Sequence, residues 1–340
     1  MITLLPAEDA GTGWDAFVAG DEEGTFCHLS GWRRIMSEVM GHECLLAIAS
    51  DASRKWCGVL PLVRVKSAIF GHYLVSMPFL NAGGPIGTED ARRELGEWAR
   101  REAAASHADL LELRGHSAVP GELRISNRKI TVQLDLAGSA EALWKGFPSK
   151  LRSQIRRPQK EGLVTRFGPD QRAAFYTVFS RTMRALGTPV LPSALFSRIA
   201  EVFPDVVEFG AVYSGEQPVA AGCGFIWKGL FEITWAGSLR EHARLAPNML
   251  LYWAFLEQSI ARGVRVFDFG RCTPGGGTHQ FKRQWGGRDV PLPWAQWSPG
   301  NVEATPSPDR PIYRIAAACW RHLPLAVANG VGPLIATRLP

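Results

Sequence analysis

Apolar runs of strand length alternate with segments of helical period along most of this chain. Residues 44–49 and 58–65 read as strands separated by the polar turn 51–55, and 32–39 as a short helix that Ser30 would cap. Residues 66–85 join an apolar strand to a Pro/Gly turn, 91–105 form a charged, alanine-rich helix, and 110–113 and 130–136 are strands again. Ser139 would cap a helix through Trp144, and Pro148 suits the first turn of the next. Residues 172–186 are amphipathic, with Phe175, Val178, Phe179 and Met183 facing inward. Then 207–213 and 218–227 flank a hairpin turn, 230–236 is a strand, 247–261 is apolar enough to be a buried helix, and 265–270 is the last core strand. Frequent proline from Pro291 to Pro311 suggests a linker. The tail 312–340 is apolar, with Arg314, Arg321, His322 and Arg338 spaced through it.

The stretch FDFGRCTPGGGTHQFKRQWGG, Phe267 to Gly287, carries the most chemistry. A buried strand breaks at Gly270, a Pro/Gly loop follows, and an aromatic and basic turn closes it with Phe281, Lys282, Arg283 and Trp285. No acid lies between Asp268 and Asp289, so this end of the chain suits an anionic ligand. A second basic group sits on the helix after Pro148. Leu151 and Ile155 share one face, while Lys150, Arg152, Arg156, Arg157 and Lys160 fan across the other. Like charges at helical spacing cost stability, which favours an anion-binding role over a merely solvated face. Pro158 should limit the regularity of that helix.

Charge changes the picture through its placement. The chain has a net charge of +6, and the segment 144–166 alone holds seven cations against Glu161. Phosphates, an anionic membrane or tRNA would each answer to that patch. Six scattered cysteines form no CxxC pair, and eight histidines form no HExxH, so reduced thiols, no metal and a cytoplasmic setting are expected. The start lacks a basic region followed by an apolar core, so no signal peptide is expected, and no apolar run is long enough to span a bilayer.

Three ordered motifs, VLPLVRVKSAIFGHYLVSMPFLNAGGP, SKLRSQIRRPQKEGL and FDFGRCTPGGGTHQFKRQWGG, resemble the FemAB-like proteins of the GNAT acyltransferase superfamily. Within that group they are similar to the branch found with exosortase/PEP-CTERM exopolysaccharide systems, over residues 26–287 and again in the tail. The resemblance implies an α/β fold of two tandem GNAT-like domains with mixed, largely antiparallel sheets. The expected limits are 1–137 and 138–290, followed by the linker and tail 291–340. Fem enzymes transfer an amino acid from aminoacyl-tRNA to the peptide of a cell-wall precursor. Their Phe-Lys pair looks like Phe281-Lys282, where the lysine is implicated in handling the acyl donor and developing charge. Two departures leave the donor open between aminoacyl-tRNA and acyl-CoA, with no tightly bound cofactor. No coiled-coil arm is inserted, and the segment 240–248 (REHARLAPN) has no glycine where a pyrophosphate loop would lie.

Acyl transfer needs a deprotonated acceptor, a stabilised oxyanion and reactants held together. Lys282 suits the oxyanion, in a pocket walled by Phe281 and Trp285. Asp268, Glu232 and His279 are the candidate bases, and Arg271 could grip a phosphate unless it pairs with Asp268. No GxSxG is present, so no covalent nucleophile is indicated. The expected activity is acyl or aminoacyl transfer to a phosphate-bearing or lipid-linked envelope or exopolysaccharide precursor at the inner face of the membrane. For the tail 312–340 two placements are open, packing on the body of the protein or peripheral contact along a membrane surface. The alternative is a non-catalytic GNAT-shaped module that binds an anionic glycan or lipid-linked intermediate.

Overall fold

The computed structural model describes residues 1–9, 11–301 and 311–339. In chain order the elements are β1 (Ile2–Leu4), α1 (Thr12–Gly20), α2 (Gly31–Glu38), β2 (Glu43–Ser50), β3 (Trp56–Ser67), β4 (Gly71–Val75), β5 (Ile86–Gly87), α3 (Glu89–Ala105), β6 (Leu110–Leu113) and β7 (Arg124–Asp135). There follow α4 (Ala140–Gly146), α5 (Ser149–Lys160), β8 (Val164–Phe167), α6 (Arg172–Leu186), α7 (Ser193–Val202), β9 (Val207–Ser214), β10 (Gln217–Trp227) and β11 (Leu230–Ser238). The chain then forms α8 (Pro247–Ala261), β12 (Val266–Cys272), α9 (Gly277–Arg283), β13 (Arg288–Trp297), α10 (Pro311–His322) and α11 (Leu325–Ala336). Among the described residues no helix is long and apolar enough to cross a membrane.

Two compact units result. One is Met1–Lys129 with the described parts of Pro291–Ser307 and Thr337–Pro340; the other is Ile130–Val290 with the described part of Pro308–Ala336. In the first, the strand order is β1-β2-β3-β4-β6-β13, with β5 beside β3, and only β4 and β6 run parallel. Helix α3 lays Ala91, Leu95, Ala99 and Ala103, one helical stripe, on the strand residues Leu60, Leu62, Leu74 and Leu111. Thr88 caps it by accepting from the Ala91 amide.

Two expectations change here. Ser30 does not cap α2: it already has helical dihedrals, and its hydroxyl donates to Asp15 at 2.9 Å. The segment from Pro291 to Trp297 is the strand β13 instead of the start of a linker. Its Ala295, Gln296 and Trp297 pair with β6, and Gln296 donates to Glu112, the partner of the buried Arg114. Satisfying that buried ion pair and the β6 edge holds the segment in a sheet despite its prolines. Residues 302–310 of the expected linker lie outside the described residues.

The second unit carries β7-β12-β11-β10-β9-β8, antiparallel throughout except for β11 beside β12. Both hairpins are tight: Ser214 faces Gln217, and Trp227 faces Leu230 across Lys228 and Gly229, which both have positive φ as a two-residue I′ turn requires. Helix α8 is buried on nearly every side, because α4 and α5 cover one flank and β9 to β11 the other. Its Phe255 stacks on Phe231 at 5.3 Å and meets Phe167 edge-on at 5.0 Å. The sheet makes room with Gly222, where a Cβ would sit 2.9 Å from that ring. Phe255→Ala should therefore cost about 3–5 kcal/mol, read as a lower urea midpoint at unchanged slope. A shift near zero would mean that this ring is not the keystone of the layer.

Candidate active site

The site begins where two parallel strands part. β11 and β12 are in register from Leu230 opposite Val266 to Glu232 opposite Asp268, and there the pairing stops. Each strand carries an irregularity just beyond that point. On β11 the register against β10 skips at Thr234, and on β12 the register against β7 shifts between Asp268 and Arg271. An extra residue on one strand bends it and breaks its ladder. Two such bulges side by side drive the neighbours apart. The β12 bulge is held locally: Gly270 has φ 72°, and its amide donates to Asp268 Oδ1 at 2.7 Å. The same carboxylate accepts from Thr131 Oγ1 and, at 3.0 Å, from Gln133 Nε2, both on β7.

Lysine 282 closes this arrangement. It lies on α9, is only 4% exposed, and its Nζ donates to the carbonyls of Gly270 at 2.6 Å and Arg271 at 3.0 Å. Carbonyls released from a sheet ladder inside a protein need a donor, and the ammonium supplies it. Burial lowers the pKa of Lys282, while the charges of Cys272, Asp268 and Glu232 raise it and Arg271 lowers it further. Glu232 is 4% exposed and accepts from Thr234 Oγ1 at 2.9 Å. Three of the residues named from sequence, Asp268, Glu232 and Arg271, thus gather within electrostatic reach of the Lys282 ammonium.

The others are placed differently. His279 is engaged in its own loop: its Nδ1 accepts from the Gly275 amide at 3.0 Å and its Nε2 meets Asp289 Oδ1 at 2.9 Å. With both ring nitrogens engaged, the ring closes the glycine loop. Trp285 is 1% exposed and packs on Phe147 at 5.8 Å and on Tyr252 and Phe269 at 6.2 Å, so it is core beneath α9 and not a wall open to ligand. Phe281 lies against Tyr252 at 4.9 Å. Lys150, Arg156, Arg157 and Lys160 are exposed and Arg152 is half-buried on the outer face of α5, while Leu151, Ile155 and Pro158 are inside. The helix runs through Pro158 to Lys160, more regular than expected. None of the five cations has an ion-pair partner among the described residues; Arg156 lies over the Trp144 ring at 5.1 Å. Phe147, two residues ahead of α5, touches Trp285, so the basic helix starts against the turn that carries Lys282.

Thr131, Gln133 and Thr234, which position the two carboxylates, escaped the sequence reading. A signal existed: Thr131 and Gln133 alternate with Ile130, Val132 and Leu134, polar side chains on one face of a core strand. A cavity of about 450 Å³ lies elsewhere in this unit, lined by Arg181, Arg184, Ser238, Arg240 and Glu241 among others, and none of the residues named from sequence reaches it. Among the described residues no cluster of His, Cys, Asp and Glu could hold a metal ion.

Residues 147–283 match the acetyltransferase (GNAT) domain family. No curated protein matches the sequence. The fold is similar to that of FemX, with a TM-score of 0.64 at 12% identity, covering 93% of this chain and 100% of that one. It is also similar to a tandem GNAT protein from the clavulanic acid biosynthesis pathway (TM-score 0.52, 15% identity, 90% and 99% covered). A third likeness is to the C-terminal domain of a putative lysylphosphatidylglycerol synthetase from Agrobacterium fabrum (TM-score 0.51, 11% identity, 74% and 83% covered). The tandem GNAT-like, mixed and mostly antiparallel α/β architecture expected from the motifs is therefore the one observed.

The lowered pKa of Lys282 has a consequence for stability. Between that value and the ordinary 10.5, the folded protein binds fewer protons than the unfolded chain, so this group's contribution to stability rises with pH across the window. Lys282→Met should remove that rise, measured as unfolding free energy at neutral and at strongly alkaline pH. Equal slopes in the two proteins would show that the ammonium is not desolvated.

Proposed function

We propose that this protein is an acyltransferase that moves an acyl or aminoacyl group from a thioester or ester donor to an amine or hydroxyl acceptor. The observation that carries the reading is the buried Lys282 beside Glu232 and Asp268 where β11 and β12 part, inside the segment that matches the GNAT domain. In this reading the donor's reacting carbonyl lies by the parted strands, where the Lys282 charge stabilises the oxyanion as it forms. That charge is held by two carbonyls, so little reorganisation is needed. Asp268, tied by three donors, sets the β12 bulge, and Glu232 takes the proton from the acceptor. The acceptor proposed is a phosphate-bearing or lipid-linked precursor of the envelope or of exopolysaccharide, held by the unpaired cations of α5. The resemblance of the motifs to Fem enzymes favours aminoacyl-tRNA as donor; acyl-CoA is the other choice. Fem-type transfer would also account for an acyltransferase fold without a glycine-rich segment at 240–248.

Glu232→Gln should lower turnover roughly 10²–10⁴-fold, the scale of losing a general base, and Lys282→Ala roughly 10²–10³-fold. Donor binding should survive in Glu232→Gln, read as the thermal shift that the donor produces. Unchanged turnover in both variants would remove this group from the chemistry, and a module that only binds would show no transfer in any form. The donor is identified by which of aminoacyl-tRNA, acetyl-CoA, a longer acyl-CoA or a nucleotide sugar raises the unfolding midpoint.

A further inference from the structure

The C-terminal helices are inverted relative to an ordinary surface helix. Both α10 and α11 pack on α6. The attachment is close: a Cβ on Gly187, at the end of α6, would meet the Ala317 carbonyl at 2.5 Å, and Arg184 donates to the Leu323 carbonyl at 2.9 Å. In α11 the residues turned to the body are small. Ala328, Gly332 and Ala336, one helical stripe, are buried, and Gly332 lies against Val190. The large apolar residues face out, with Val327 45%, Val331 42% and Leu334 71% exposed at i, i+4 and i+7. No charged residue occurs from Leu323 to Thr337. A helix resting on a protein normally shows water its polar side. This one shows water its greasiest side.

The surroundings state the sign of the partner. From Arg310 to Pro340 the sequence holds four arginines and no Asp or Glu. On α10, Arg314 and Arg321 are exposed, as is Ile315 at 66%. Arg321 donates to the carbonyl of Leu186, whose side chain is itself 51% exposed. A second copy of the chain meeting this face would bring its arginines against these, with no acid to answer them. Negative phosphates over an apolar layer would satisfy both features at once.

We propose that the outer face of α11, flanked by the cations of α10, docks in the plane of an anionic phospholipid membrane. Val327, Val331 and Leu334 enter the boundary between headgroups and acyl chains, and Arg314 and Arg321 lie among the phosphates. Twelve residues of helix extend about 18 Å, well short of the roughly 30 Å of a bilayer core, so α11 lies flat and does not cross. This rests on the tail alone and stands whether or not the proposed transfer chemistry does; if both hold, the protein works where a lipid-linked acceptor is presented.

The test is sedimentation of the full chain with phosphatidylglycerol-rich vesicles and with phosphatidylcholine vesicles, at low and high salt. Binding to the anionic vesicles, weakened by salt, is expected, with hydrogen-exchange protection gained over 325–336. Val331→Glu/Leu334→Glu should abolish it. Arg314→Gln/Arg321→Gln should weaken it roughly thirtyfold, the scale of two interfacial cations, with unfolding midpoints unchanged in both variants. Equal binding by the double glutamate variant would overturn the proposal. So would a solution dimer that this variant dissolves, in a protein that ignores both kinds of vesicle. Loss of vesicle binding with transfer activity kept on a soluble acceptor would leave the catalytic reading intact.

Discussion

Two parallel strands part where each carries a bulge against its outer neighbour, and the second unit is arranged around that gap. β11 and β12 leave each other at Glu232 and Asp268, and the carbonyls freed on β12 must find donors in an interior that excludes water. The Lys282 ammonium supplies them. A buried charge is costly unless it is paired and hydrogen-bonded. Here two carbonyls and the nearby Asp268 and Glu232 offset that cost. Structure and chemistry share one cause: the gap that needs a buried cation is also where that cation is most effective, because little water screens it.

The support beneath is apolar and rigid. Helix α8 fills the space under the sheet, and its aromatic side chains join those of β11, β12 and α9 into one cluster. Phe147 enters that cluster from the junction ahead of α5 and meets Trp285, two residues after the last turn of α9. A core contact therefore ties the basic helix to the element carrying Lys282. The cations of α5 are left for the outer face, as amphipathic packing requires.

The residues around the carboxylates divide into those that hold and those that act. Asp268 spends its oxygens on Thr131, Gln133 and the Gly270 amide, and in doing so shapes the bulge. His279 spends its nitrogens on Gly275 and Asp289 and steadies the glycine loop. A titratable side chain in a glycine-rich loop can thus spend both its nitrogens on holding that loop. Only its hydrogen bonds tell.

Much of this was legible in the residue order. Strand-length runs and a polar turn located β9 to β11 and the hairpin joining the first two, a nearly all-apolar segment announced α8 as buried, and the acid-free stretch from Asp268 to Asp289 pointed to Lys282. The order of elements along the chain is local information, carried by spacing and by turn residues such as Lys228-Gly229. What it could not show was which side chains end up sharing a partner. Thr131 and Asp268 are 137 positions apart and meet only because β7 pairs with β12. Ser30 had the composition of a cap and became a partner of Asp15, and a run of prolines became a strand because β6 needed an edge. Spacing sets which face a residue shares with its neighbours; whether that face meets water, a carboxylate or a freed carbonyl depends on long-range packing, which no local pattern encodes.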